Sequence, residues 1–236
     1  HRKRLHLSGG VILIIRSKRN ESALLRAKKL MSKEMFSFLS DNEKELLVQV
    51  VEGDVSKPKL GMNSEDYQKL RSDENISHVI NSAACVNFTE PLPRAAESNI
   101  TSALQLQELF QDMVSRPKYV YLSTAFVHGG RTGSPQSPLQ ENLFDFGKYD
   151  PLYLYQSMLH TQSAASAAMN QLGFPNTYTF SKSICEHLLL RNKKVSTTIV
   201  RPCIVGPAVQ EPFEGWAGDK PSTLVAGACL YLKNPY

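Results

Sequence analysis

Five short runs of β-branched and aliphatic residues, each separated from the next by a stretch of helical periodicity, most constrain what this chain can form. They are VILIIR (11–16), LLVQVVEGD (46–54), HVINSAA (78–84), YVYLSTAFV (119–127) and STTIVRP (196–202). Near-continuous apolar character marks strands buried on both faces, and such strands belong to parallel sheets. Helical patterns occupy residues 21–40, 64–71, 91–115, 153–171 and 177–192. The βαβα alternation predicts a doubly wound α/β sheet of Rossmann type, and 236 residues suffice to build it as one domain.

Composition excludes several other classes. No apolar run approaches the roughly 18 residues needed to span a bilayer. The four cysteines, Cys85, Cys185, Cys203 and Cys229, show no CxxC spacing, and the six histidines form no HExxH pair, so neither a metal site nor a disulfide framework is expected. A reducing, intracellular compartment fits this cysteine usage. Residues 1–33 hold ten Lys or Arg against the single acid Glu21. That bias suits an anionic surface, but no aromatic interleaving or nucleic-acid motif accompanies it, so a solvated basic face is expected and no nucleic-acid partner. HRKRLHLSGG lacks the apolar core of a signal peptide.

One segment breaks the rhythm. Residues 128–151, HGGRTGSPQSPLQENLFDFGKYDP, are too long and too rich in Gly, Pro and Ser for an ordinary connection. They follow a strand, on the edge where open α/β sheets take their ligands, which favours a loop on the substrate side. Neither glycine cluster reads as a phosphate loop: LSGG precedes its strand, and GGRTG leads into Pro135 rather than a helix. VILIIR ends in Arg16, followed by Ser17, Lys18 and Arg19. At the end of the second strand of a dinucleotide fold, a basic residue accommodates the 2′-phosphate of NADP. On that reading the first strand and its glycine turn are missing, and the chain is expected to be a fragment.

In FPNTYTFSKSICEHLLLRNKK (174–194), Tyr178 and Lys182 stand four apart on a helix entered through Pro175 and Asn176. With nine Tyr and 16 Lys, about 0.6 such spacings arise by chance in a chain of this length, so context must decide. Residues four apart share a helix face, and an ammonium beside a phenol favours the phenolate, lowering the phenol pKa from about 10 toward the working range. Such a tyrosine can pass a proton to a carbonyl oxygen. The upstream strand ends in hydroxyls of its own, Ser123 and Thr124.

Together, GDVSKPKLGM, VINSAACVNFTEPLPRAAESNI, YVYLSTAFV, PNTYTFSKSICEHLL and IVRPCIVGPAVQEPFEGWAGD resemble the reductase domain of fatty acyl-CoA reductases, the male-sterility proteins of the extended short-chain dehydrogenase/reductase superfamily. NTYTFSK and RPCIVGPAVQEPFEGW are far more specific than YxxxK. The resemblance implies Tyr178 as general acid, Lys182 holding the nicotinamide ribose, and Thr124, with Ser123 as fallback, bonding the substrate carbonyl. It implies Asn99 on a water-linked proton path to the lysine. For the cofactor it implies Asp54 and Val55 against the adenine, Asn81, Ser82, Ala83 and Ala84 along the dinucleotide, and Pro202, Cys203 and Ile204 at the nicotinamide. The implied reaction is NADPH-dependent reduction of a long-chain acyl-CoA to an aldehyde, then an alcohol. Peripheral association with a peroxisomal, endoplasmic-reticulum or plastid membrane is implied as well. A carrier-protein thioester reductase or a sugar-nucleotide epimerase would share Tyr178, Lys182 and Thr124. A degenerate interaction module that has lost its cofactor is the non-enzymatic alternative.

Overall fold

The computed structural model describes residues 9–218 and 223–233, so Arg2, Lys3 and Arg4 of the basic N-terminal bias lie outside the described residues. Two compact units emerge, one from the N-terminal residues through Gly53 together with the residues from Ile204 onward, the other from Asp54 to Cys203. All strand pairing within the named strands is parallel.

In the first unit β1 (Val11–Ile15) pairs with β2 (Val48–Glu52), Val11 opposite Val48 and Ile15 opposite Glu52. Between them run α1 (Ala23–Met31), a 3₁₀ turn at Glu34–Phe36 and α2 (Asp41–Leu47). Ser22 caps α1 through the amide of Leu25. A reciprocal capping box of Ser40 and Glu43 starts α2, satisfying two orphan helix donors at once. The expected 21–40 helix therefore stops early and a second one begins, and the strand expected over 46–54 starts at Val48.

The second unit is a three-stranded sheet ordered β3 (His78–Asn81), β4 (Lys118–Leu122), β5 (Thr197–Val200). α3 (Ser64–Ser72) precedes it, opened by an Asn63 cap. β3 leads to α4 (Leu92–Ala96), which passes through a π-helical turn at Glu97–Thr101 into α5 (Ser102–Phe110). β4 leads through the 128–151 segment to α6 (Pro151–His160), α7 (Gln162–Gln171) and α8 (Thr177–Arg191). The helix expected over 153–171 is thus two, broken at Thr161, whose φ and ψ of −130° and 64° leave the helical region. After β5 the chain rejoins the first unit, where Thr223–Lys233 forms α9.

Burial corrects one expectation. The strands of the three-stranded sheet are not buried on both faces: Val79, Asn81, Tyr119 and Tyr121 are buried, whereas Ile80 is 66% and Val200 44% exposed. The buried face meets helices. Tyr119 Oη donates to the Ala103 carbonyl at 3.0 Å and Gln107 Nε2 donates to Thr197 Oγ1 at 2.9 Å, tying α5 to β4 and β5. α8 is buried on nearly every side from Thr179 to Glu186, as a central helix must be, and Asn176 caps it through the Thr179 amide at 2.9 Å.

The 128–151 segment is anchored by a hydrophobic cluster of its own. Phe144 and Phe146 are buried and meet Phe174 with ring centroids 4.9 and 6.2 Å apart, and Phe174 meets Phe180 of α8 at 5.2 Å. Its glycines permit close approach of the backbone. A Cβ on Gly129, where φ is +62°, would stand 2.8 Å from the Leu172 carbonyl oxygen. Phe144→Ala should cost about 3–5 kcal/mol in denaturant titration, and the loop should become the first site of limited proteolysis.

Candidate active site

α8 and the exits of β3, β4 and β5 converge within the second unit. Lys182, only 2% exposed, donates from Nζ to the Leu122 carbonyl at the end of β4 at 2.6 Å and lies 4.5 Å from the Tyr121 ring centroid. Burial lowers its pKa to about 8, the carboxylate of Glu186 working in the opposite direction. The strand end beyond Leu122 stays laced to β5: Ser123 N donates to the Val200 carbonyl at 2.8 Å and Ala125 N to that of Pro202 at 2.9 Å. β4 therefore ends at Leu122, earlier than the expected Val127, while its main-chain bonding continues.

Tyr178 is half-buried one helical turn before Lys182, its ring centroid 6.0 Å from the ammonium and 6.0 Å from that of Phe88. The buried Thr124 hydroxyl acts on its phenol in the direction that favours the phenolate. The expected depression of the phenol pKa is not what the structure gives. Burial pushes it up, the Thr124 hydroxyl opposes this, and the lysine is engaged with Leu122 instead. At neutral pH the phenol is a protonated donor. Ser123 Oγ is buried without a hydrogen-bond partner among the described residues, an orphaned hydroxyl beside Thr124.

Asn99 sits in the π-helical turn, 1% exposed. Its Oδ1 accepts from Cys85 N at 2.8 Å, while Nδ2 donates to the Cys85 carbonyl at 3.1 Å and to Ser181 Oγ at 2.9 Å. Asn99 therefore clasps the β3 exit to α8, which is a use of the side chain that π-turns near functional sites commonly serve. Ser181, its partner, is not legible in the sequence, because a serine on a buried helix face carries no spacing signal.

Each unit carries some of the residues expected to face a dinucleotide. In the second, Asn81 donates to Tyr119 Oη at 2.9 Å and accepts from Ala83 N, turning the chain into an exposed run, Ser82 to Ala84, whose small side chains leave backbone accessible. Asp54 is half-buried and its Oδ1 accepts from the amide and hydroxyl of Ser56, at 3.1 and 2.6 Å, with Val55 between them. Pro202 and exposed Cys203 follow β5. Arg16 and Ile204, both exposed, belong to the first unit. Ser17 Oγ donates to Glu52 Oε1 at 2.5 Å, joining the ends of β1 and β2. Within the second unit, the orphaned Ser123 hydroxyl, the exposed Ser82–Ala84 backbone and the buried Lys182 ammonium offer donors of the kind a nicotinamide dinucleotide requires. Among the described residues no group of three His, Cys, Asp or Glu is placed to hold a metal ion, and no helix is long and apolar enough to cross a membrane.

The lysine has a thermodynamic signature. Its folded pKa of about 8 lies below the ordinary 10.5, so between these values the unfolded chain binds a proton that the folded chain does not, and its contribution to stability rises with pH across that window. Below about pH 8 the buried charge is a net cost. Lys182→Met should therefore be stabilised most, relative to the parent, at about pH 7, and that advantage should shrink on going from pH 8 to 10.5 in paired denaturant titrations.

A family model for an NAD-binding domain, described as male sterility protein, matches residues 3–232. A candidate fatty acyl-CoA reductase of Drosophila melanogaster is 31% identical over 218 residues, which are 89% of this chain and 38% of that protein. Fatty acyl-CoA reductase 1 of Xenopus laevis is 29% identical over 212 residues, 87% of this chain and 40% of its own length. The chain thus spans about two fifths of these relatives. Among solved structures, the terminal R domain of the myxalamid PKS-NRPS pathway superposes with a TM-score of 0.63 at 20% identity, over 93% of this chain and 48% of that one. The reductase domain of a non-ribosomal peptide synthetase from Mycobacterium tuberculosis gives 0.56 at 21%, over 87% and 44%. Those likenesses establish the Rossmann-like α/β fold. The match across nearly the whole sequence sets the cofactor class as a nicotinamide dinucleotide, and the chain belongs to the male sterility protein family.

Proposed function

We propose that the protein reduces long-chain fatty acyl-CoA with one NADPH to a fatty aldehyde, releasing CoA, and with a second NADPH takes the aldehyde to a fatty alcohol. One observation carries the chemistry: Tyr178, a phenol kept protonated by burial and acted on by the buried Thr124 hydroxyl, stands one turn of α8 from Lys182, whose buried ammonium lies 6.0 Å from the phenol ring centroid. The names of the relatives supply the substrate class.

When bound, the dihydronicotinamide supplies the hydride. Thr124 and Tyr178 hold the thioester carbonyl oxygen, and Tyr178 donates its proton there as negative charge develops. The hemithioacetal so formed loses the CoA thiol. Lys182, held by the Leu122 carbonyl, would hold the nicotinamide ribose, while Ser123 is the second hydroxyl available at the strand end. Asn99 supports the lysine by fixing Ser181 and the β3 exit. Asp54 and Val55 would hold the adenine, Asn81 to Ala84 the length of the dinucleotide, and Pro202, Cys203 and Ile204 the nicotinamide. Arg16 would receive the 2′-phosphate.

Following NADPH absorbance with palmitoyl-CoA, an acyl carrier protein thioester and a UDP-sugar tests the reading. Turnover of the CoA thioester is expected. Turnover of the carrier-bound thioester alone would move the assignment to carrier-protein reduction, and tight NADPH binding is incompatible with a degenerate interaction module. Tyr178→Phe should lower kcat by about 10²–10⁴-fold, and Thr124→Ala by about 10²-fold, both with the fold intact by circular dichroism.

Arg16→Glu should raise the KM for NADPH by at least about tenfold while leaving that for NADH within about twofold, since a charge-assisted contact to phosphate is lost and a repulsion gained. Equal effects on the two cofactors would remove Arg16 from the 2′-phosphate.

A further inference from the structure

Arg201, the residue that follows β5, forms a bidentate pair with Glu186 of α8: Nε donates to Oε1 at 2.9 Å and Nη2 to Oε2 at 2.6 Å. The carboxylate is 1% exposed and the guanidinium 16%, so the pair is desolvated. Arg201 reaches further, with Nη2 donating to the Asn142 carbonyl at 3.1 Å and Nη1 lying 3.5 Å from His128 Nε2. One side chain thereby touches the helix of Tyr178 and Lys182 and two points of the 128–151 loop. Its own backbone leads straight to Pro202, whose carbonyl accepts from the amide of Ala125, the neighbour of Thr124.

A buried ion pair is a poor way to gain stability, because desolvating two charges costs about as much as their attraction returns, and well-packed apolar residues often serve as well. What the fork offers is direction. Two parallel bonds to a planar guanidinium fix angle as well as distance, and Arg201 applies that constraint to helix and strand end at once. Glu186 is one turn beyond Lys182 and two beyond Tyr178, on the same stripe of α8. A rotation of α8 that displaced the phenol would break the fork.

We infer that the Glu186–Arg201 pair is a positioning clasp for the reduction proposed above, holding the Thr124 hydroxyl and the Tyr178 phenol in mutual register and the 128–151 loop over the β5 exit. Neither residue touches reacting atoms. The inference rests on the proposed acyl-CoA reduction for its kinetic consequence, but not for its geometric one.

Removing one partner strands a buried charge and can unfold the protein, so the informative variant is the double replacement Glu186→Met with Arg201→Met. It should melt close to the parent, yet its kcat should fall by at least about tenfold, a displacement of roughly 1 Å being enough for such losses. The KM for NADPH should stay within about threefold, since the loss lies in the step after binding. Arg201→Lys keeps the charge without the fork and should share the deficit in kcat. Hydrogen exchange supplies a readout free of turnover: peptides covering residues 123–128 should exchange faster in the double variant. Parental kcat in the folded double variant, full activity in Arg201→Lys, or unchanged exchange at 123–128 would each overturn the clasp. If the parent turns over no acyl-CoA, the proposed function fails, and exchange at 123–128 alone still decides whether the clasp exists.

Discussion

Keeping an ammonium inside the protein is the constraint on which the site depends. Lys182 cannot be hydrated at 2% exposure, so the fold must solvate it with its own dipoles, and the Leu122 carbonyl and the face of Tyr121 do so. The amide of the same peptide group, Ser123 N, is bonded to β5, while on the opposite side pairing with β3 ends at Asn81 opposite Tyr121, which leaves the Leu122 carbonyl to the lysine. Strand termination and lysine placement are one event. The same desolvation that draws the lysine down holds the Tyr178 phenol up, so two groups whose ordinary pKa values are both near about 10 are driven apart, toward a partly neutral amine and a firmly protonated acid.

The helix carrying these groups is locked from several sides. Asn99 reaches from the π-turn to Ser181, Thr177 Oγ1 donates to the Glu90 carbonyl at 2.9 Å, and Arg201 grips Glu186. The locks are polar because each must specify rotation about the helix axis, which apolar packing on a helix buried all round specifies poorly. The aromatic cluster of Phe144, Phe146, Phe174 and Phe180 supplies bulk instead, and it fixes the loop beyond Thr124.

Sequence makes the frame legible and leaves its joints hidden. All five strands lie where apolar runs predict them, because burial of a strand's side chains is written locally, but their ends are not: β4 stops at Leu122 because tertiary partners claim the residues beyond. α2 is written in the sequence as a serine three residues before a glutamate, Ser40 and Glu43, a capping signal outweighed by the apolar run that follows. Asp150 before Pro151 likewise marks the start of α6. The π-turn around Asn99 carries no such signal. Tyr178 and Lys182 are legible as a pair, yet the direction of the phenol pKa is not, since the sequence shows the charge four residues away and not the medium between.

Glu186 illustrates the same limit. An acid four residues after Lys182 reads in sequence as an ordinary surface pair, and burial turns it into a requirement for a cation. Which cation answers it depends on where β5 ends, fifteen residues away, and only the folded sheet brings Arg201 there. Fold and site are therefore not separable layers in this unit. The strand ends that close the sheet also present the Leu122 carbonyl, the Thr124 hydroxyl and the Arg201 fork to one helix, so any change that slides β4 against β5 by a single residue would misplace all three together.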